Sequence, residues 1–293
     1  MKKIGFILDS FACESKEFMD KHNIGFLPLR SEIDGVVYED GVNINQKELL
    51  EKIKNSKSSC KSSMPNPGLM EEVFQEMSAK YDDVLYLPIS SALSSTFSIA
   101  NNLAKEYSNV HVFDNTWGSQ QLITVVEFAK KFYEEHDGDM KALFEELKKI
   151  EQKSLLFVLP QDVIHIVEGG RVSSFKKFVL KTIRLLKLKP YVRFANREAH
   201  TGGLAKSLKR ALEHIYSKLI GHLWIGDPEA QSDEYLVDVT WGIDEEFNKL
   251  IDSIATDKKI KINSHKLLCS AVAAHTGYDA TAISIMPNLK KWK

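Results

Sequence analysis

Val84-Leu85-Tyr86-Leu87-Pro88-Ile89-Ser90-Ser91-Ala92-Leu93-Ser94-Ser95-Thr96-Phe97-Ser98 decides the reading of this chain. Val84 to Ile89 is a short apolar run of buried-strand length. Thr96 to Tyr107 predicts a helix, with Phe97, Ile99, Ala100, Leu103, Ala104 and Tyr107 on its apolar side. Between the two lie Ser90, Ser91, Ser94 and Ser95. Ser94 or Ser95 suits a cap, since a short side-chain oxygen accepts from the N–H groups that the first helical turn leaves unpaired. One cap needs one serine. The surplus hydroxyls, at a strand's C-terminal end and a helix's N-terminal end, also suit an anion. A serine-rich capped turn is the plainer alternative.

Working outward, the same pattern recurs. Ile4 to Leu8 is an apolar run ending in Asp9-Ser10, and Val110 to Phe113 ends in Asp114-Asn115. Helices are predicted at Ser15 to His22, Asn45 to Asn55, Pro67 to Ala79, Gln120 to Glu135 and Met140 to Gln152. Gly25 to Leu29 reads as another strand, and Asp34-Gly35 as a hairpin turn within Ile33 to Tyr38. Strands alternating with helices predict an α/β fold: a mostly parallel N-terminal sheet with helices on both faces. The polar strand ends then share one rim, where open α/β sheets bind ligands. Lys57 to Pro67 reads as a connector whose prolines give Ser62 and Ser63 a firm path.

Character changes near Glu151 to Ser154, so residues 1–152 and 153–293 are expected to form two domains. The second reads as α+β with a mixed sheet. Its expected strands are Leu155 to Leu159, Lys189 to Phe194, Ala199 to Thr201, His222 to Ile225, Tyr235 to Thr240 and Ala282 to Met286. Its expected helices are Asp162 to Val167, Phe175 to Leu186, Leu204 to Leu219 and Glu245 to Ile254. The pair Gly169-Gly170 suits a helix end and reversal.

The chain has 293 residues, 43% hydrophobic and 27% charged, with net charge −1. That balance offers no global field for nucleic acid. Cys13, Cys60 and Cys269 stand far apart, without metal-type pairing, which points to a reducing cytoplasm. The opening apolar run is cut by Asp9 too early for a signal peptide. No P-loop, dinucleotide fingerprint, nucleophile elbow, H-E-x-x-H or C-x-x-C motif is present. His275, at the end of the apolar run Leu267 to Ala274, reads by itself as a structural histidine.

Six motifs change its weight. Lys61-Ser62-Ser63-Met64-Pro65-Asn66-Pro67 resembles the K-T-S-x-P-S-P loop of the DegV family. Ser90 to Phe97 resembles its S-S-x-L-S-G-T-Y. Glu168-Gly169-Gly170-Arg171-Val172-Ser173 resembles its G-G-R-I-S, and Lys187 to Tyr191 its following strand. Ala274-His275-Thr276-Gly277 resembles its closing a-H-x-G, and Asp9-Ser10 its opening D-S. The order is right over nearly the whole chain. Ser62 replaces the family's Thr, Ser95 replaces its Gly, and Tyr278-Asp279 follows the last motif where the family usually has another pattern.

The resemblance implies a carrier that buries one long-chain fatty acid, such as palmitate, stearate or oleate, between two domains. It implies no catalytic residue, metal or cofactor in the chain itself. A separate fatty-acid kinase would phosphorylate the carboxylate and feed phospholipid synthesis. The family's carboxylate ligands fall on Ser62, Ser94 and His275, with Ser63, Ser95, Thr96, Gly170 and Arg171 in support. Hydroxyls from two rigid loops give an anion several donors without a permanent counter-charge. Burying ~14 methylenes at ~0.8 kcal/mol each sets an upper limit near ~11 kcal/mol for the tail, before the cost of ordering it. Lys176, Lys177, Lys181 and Arg184 read first as a solvated face, and second as a docking face for a kinase or for transient membrane contact. The competing reading is a serine hydrolase or acyltransferase using Ser94 or Ser62 with His275, oriented by Asp279 or Asp114.

Overall fold

The computed structural model describes residues 2–58, 60–161, 188–222 and 233–292. Strands β1 (Ile4–Asp9), β2 (Ile24–Leu27), β6 (Asp83–Leu87) and β7 (Val110–Val112) form a parallel sheet in the order β2-β1-β6-β7. Alternation along the strands explains the layers. Ile4, Phe6 and Leu8 face one apolar core, together with Leu85 and Leu87 and helices Gln120–Glu135 and Met140–Gln152. Ile7, Val84 and Tyr86 face the other side, against helices Pro67–Lys80 and Thr96–Leu103. Both faces are therefore covered, which is why these strands read as unbroken apolar runs.

Three further strands stand beside this sheet: β3 (Arg30–Ile33), β4 (Val36–Glu39) and β5 (Lys61–Ser63), in the antiparallel order β4-β3-β5. Asp34 and Gly35, at φ 49° and 81°, turn the β3–β4 hairpin as its sequence predicts. Helix Gln46–Asn55 begins after Asn45, whose side chain accepts from Glu48 N at 2.9 Å, and buries Leu49, Leu50 and Ile53.

The second half carries a mixed sheet of six strands. These are β8 (Leu155–Leu159), β9 (Lys189–Ala195), β10 (Glu198–Ala205), β11 (Tyr235–Trp241), β12 (Ser264–Leu267) and β13 (Thr281–Pro287), in the order β10-β9-β8-β13-β11-β12. Among the described residues of this sheet, only β11 and β12 pair in parallel. Leu155, Phe157 and Leu159 pack on helices Leu208–His222 and Glu245–Asp257. Leu156 and Val158 point the other way, into the core shared with helices Gln120–Glu135 and Met140–Gln152. Those two helices thus lie between the sheets.

Several expectations need correction. The connector Lys57 to Pro67 contains β5, a strand formed by pairing with β3 rather than by local propensity. The helix from Thr96 ends at Leu103 and continues as a 3-10 turn, Ala104–Glu106. Leu204 and Ala205 finish β10 instead of starting a helix, and His222 ends a helix instead of starting a strand. The expected helices 162–167 and 175–186, residues 223–225, and the motif 168–173 with Gly170 and Arg171 lie outside the described residues. Among the described residues, no helix is long and apolar enough to cross a membrane.

Candidate head-group site

Ser62 lies in β5, opposite Ser31 of β3. Asn66 caps the following helix by accepting from Gly68 N at 2.9 Å, and Pro67 takes its first position. Strand and capped helix together fix the serine loop from both ends. Ser62 is half-buried, while its neighbour Ser63 is exposed.

His275 arrives from the far end of the chain, in the last turn of helix Ser270–Thr276. Gly277 closes that helix with φ 93°, a conformation that favours glycine. This short helix packs Ala273 into a core with Ile33, Leu49, Leu50 and Ile53 of the first half. Its last turn thereby meets β5, and Ser62 Oγ stands 2.6 Å from His275 Nε2. Both side chains are half-buried, so the pair is fixed yet lies near the surface.

Ser94 belongs to the other loop. Its Oγ accepts from Thr96 N at 3.2 Å and pairs with Thr96 Oγ1 at 2.8 Å. Ser94 therefore supplies the side-chain acceptor at this helix start. Ser95 stands at the cap position with helical backbone and makes no side-chain cap. At φ −75° its backbone suits any residue, so Ser in place of the family's Gly introduces no backbone strain there. Thr96 is fully buried, and its hydroxyl orients Ser94. The structure thus joins Ser62 with His275 and Ser94 with Thr96. Tyr278 packs on the core of Ile33, Leu49, Leu50, Ile53 and Ala273, with Lys54 Nζ 5.8 Å from its ring centre.

The polar strand ends share a rim. Asp9, fully buried, accepts from Ile89 N at 2.7 Å and Phe11 N at 2.9 Å, tying β1 to the start of the Ser90 loop. Burial outweighs those two donors and pushes its carboxyl up to about 7. Asp114 holds the same loop from the next strand, accepting from Ser91 N at 3.0 Å and Ser91 Oγ at 2.5 Å. Asn115 Nδ2 donates to Pro88 O at 3.0 Å. The two carboxylates weighed for a hydrolase are thus placed as loop anchors. Asp114 serves Ser91, and Asp279 accepts from Ile243 N and Asp244 N at 3.0 and 2.8 Å. Among the described residues, no group of three or more His, Cys, Asp or Glu is arranged to hold a metal.

Asp40 escaped the sequence reading. Followed by Gly41, it resembles an ordinary turn acid, and nothing local indicates its partner. In the fold it is fully buried and receives Ser270 N at 2.6 Å and Ser270 Oγ at 3.0 Å.

A parallel sheet, a mixed sheet and a small antiparallel sheet, with a hydroxyl–imidazole pair joining distant segments, define a class of α/β proteins with a small polar site. Within that class, the chain belongs to the family described as "Uncharacterised protein, DegV family", which it matches over residues 3–288. A DegV domain-containing protein of Mycoplasmopsis pulmonis is 30% identical over 290 residues, covering 97% of this chain and 95% of that protein. Protein DegV of Bacillus subtilis is 25% identical over 218 residues, 74% of this chain and 76% of that one. A stearic-acid-binding protein from Eubacterium ventriosum shares the fold with a TM-score of 0.81 at 20% identity, covering 99% of both chains. A DegV family protein from Thermus thermophilus, solved for its fatty-acid binding, gives 0.80 at 22% identity, covering 98% of this chain and all of that one.

Proposed function

We propose that this protein is a fatty-acid carrier: it buries a long-chain acyl tail between its two halves and holds the carboxylate with Ser62, His275 and Ser94. The observation that carries this reading is the Ser62 Oγ–His275 Nε2 pair, closed at 2.6 Å by segments from opposite ends of the chain. With His275 Nε2–H donating to Ser62 Oγ, the Ser62 hydroxyl keeps its proton for a carboxylate, and Ser94 offers a second hydroxyl from the other loop. Similar proteins bind fatty acids, stearic acid among them, and the apolar remainder of such a ligand needs burial away from water. Residues 1–152 and 153–293 are the two halves in this reading.

The half-buried Ser62–His275 pair adjoins exposed Ser63, and half-buried Ser94 adjoins exposed Ser95, so both sets of hydroxyls lie close to solvent. We therefore assign the chemistry to a separate fatty-acid kinase that phosphorylates the presented carboxylate for phospholipid synthesis, in the cytoplasm. Three free cysteines are in keeping with that compartment. A Ser–His pair also serves hydrolases. That reading loses support because Asp114 and Asp279 anchor loops instead of orienting an imidazole.

The test is mass spectrometry of an organic extract of the purified protein, beside Ser62→Ala/Ser94→Ala. One fatty acid per chain, reduced in the double variant, is the expected result. Wild-type protein that stays empty after incubation with long-chain acids overturns the reading.

A further inference from the structure

A seven-residue helix, Ser270–Thr276, carries His275. So short a helix has little stability of its own, and its placement depends on its anchors. Its last turn touches Ser62. Its first turn is held by Asp40, which directly follows β4, and by Ser31 of β3. Asp40 Oδ2 accepts from Ser270 N at 2.6 Å and from Ser270 Oγ at 3.0 Å. Ser31 Oγ lies 2.8 Å from Ser270 Oγ. A hydroxyl has one proton, and Ser270 gives its own to the Asp40 carboxylate. Ser31 is therefore the donor to Ser270, and the chain of bonds runs Ser31 to Ser270 to Asp40.

The geometry is that of a two-point attachment. Ser31 and Ser62 are cross-strand partners, about 5 Å apart at the backbone. Ser270 and His275 are separated by about 7.5 Å of helix rise. One contact leaves a helix free to pivot, whereas two at this spacing fix its rotation and its slide. Asp40 is itself anchored. Its N–H donates to Leu29 O at 3.0 Å, and its carbonyl accepts from Ser10 Oγ at 3.2 Å. Ser10 Oγ also accepts from Leu29 N at 2.9 Å. The opening Asp9-Ser10 motif thereby reaches the last helix through Asp40.

We propose that Asp40 is the positioning residue of the head-group site: it fixes the first turn of helix Ser270–Thr276 and so holds His275 Nε2 against Ser62 Oγ. The assignment rests on the carrier reading for its ligand, though not for its geometry. The other titratable groups around Asp40 are the thiols of Cys13 and Cys269, with Lys266 beside Cys13 and paired to Glu14 at 2.6 Å.

Two readouts on the full chain separate positioning from simple stability. The first is the ¹⁵N imidazole spectrum of ligand-free protein, for wild type, Asp40→Leu, Asp40→Asn, Ser31→Ala and Ser62→Ala. Asp40→Leu moves the His275 resonances to their positions in Ser62→Ala, and Asp40→Asn, which keeps one acceptor oxygen, restores them in part. The second compares oleate with oleyl alcohol. Asp40→Leu weakens oleate by about tenfold, the worth of a hydrogen bond to a charged group, and leaves the alcohol within about twofold. His275 resonances unmoved in a folded Asp40→Leu overturn the proposal, as does equal loss of acid and alcohol. If Asp40→Leu does not fold, Asp40→Asn and Ser31→Ala carry the test, and unmoved His275 resonances in both overturn it. If the wild type takes up no fatty acid while His275 still follows Asp40, the carrier reading fails and the positioning role stands.

Discussion

Replacing Asp9 by Asn removes a buried group that titrates, and the consequence is a change in how stability depends on pH. Asp9 is fully buried, with both carboxylate oxygens engaged by backbone N–H groups of Phe11 and Ile89. Desolvation still dominates and raises its pKa from 3.8 to about 7. The folded protein therefore keeps this proton up to near neutrality, whereas the unfolded chain releases it in the ordinary carboxylate range. Between those limits the folded state binds the extra proton, so stability falls as pH climbs and levels off above the folded value. The loss over that window is roughly 4 kcal/mol. Asn does not titrate, and it forfeits one acceptor at about 1–3 kcal/mol. The expected outcome is a crossing. Asp9→Asn is less stable than wild type near pH 4 and more stable near pH 8. Denaturant unfolding followed by circular dichroism across that range reads the difference directly, because the other carboxylates affect both proteins alike. Two parallel curves, with a constant gap from acid to neutral pH, refute the reasoning.

Ser62→Ala and His275→Ala each weaken oleate binding by about tenfold while oleyl alcohol is unchanged, as titration calorimetry or competition with a fluorescent acid checks. Arg197→Met destabilises the fold by about 1–3 kcal/mol, because it leaves the buried Glu151 without the guanidinium that sits 2.8 Å from it. This falls below the cost for a fully buried pair because Arg197 is 39% exposed, and denaturant midpoints measure it. Gly242→Ala drives a new Cβ into the Tyr278 carbonyl and lowers stability by about 1–3 kcal/mol in the same assay.

The parallel sheet was legible because β1 and β6 are buried on both faces and so appear as continuous apolar runs. Helix starts at Asn45 and Pro67 were legible from local chemistry, since capping is decided within a few residues. The three-stranded sheet was less so. β5 is Lys61-Ser62-Ser63, polar and preceded by serines, and it becomes a strand only because β3 offers it a ladder. The edge strand β12, Ser264-His265-Lys266-Leu267, lacks an apolar pattern for the same reason. Leu204 and Ala205 carried helical character locally, yet the Gly202-Gly203 irregularity lets β10 run on through them. At the proposed site, Ser62, Ser94 and His275 were singled out through motif resemblance. Their pairing was not, since Ser62 and His275 are separated by 213 positions and meet only when the last helix docks on β5. Asp40 lies 230 positions from Ser270 and carries no motif of its own.

The central claim concerns one carboxylate and the side chains that hold it. Palmitate labelled with ¹³C at its carboxyl carbon reports that contact directly when bound to wild type, Ser62→Ala, Ser94→Ala and His275→Ala. The account predicts one slowly exchanging bound resonance per wild-type chain, displaced in each variant. No bound resonance, or one indifferent to all three substitutions, contradicts it.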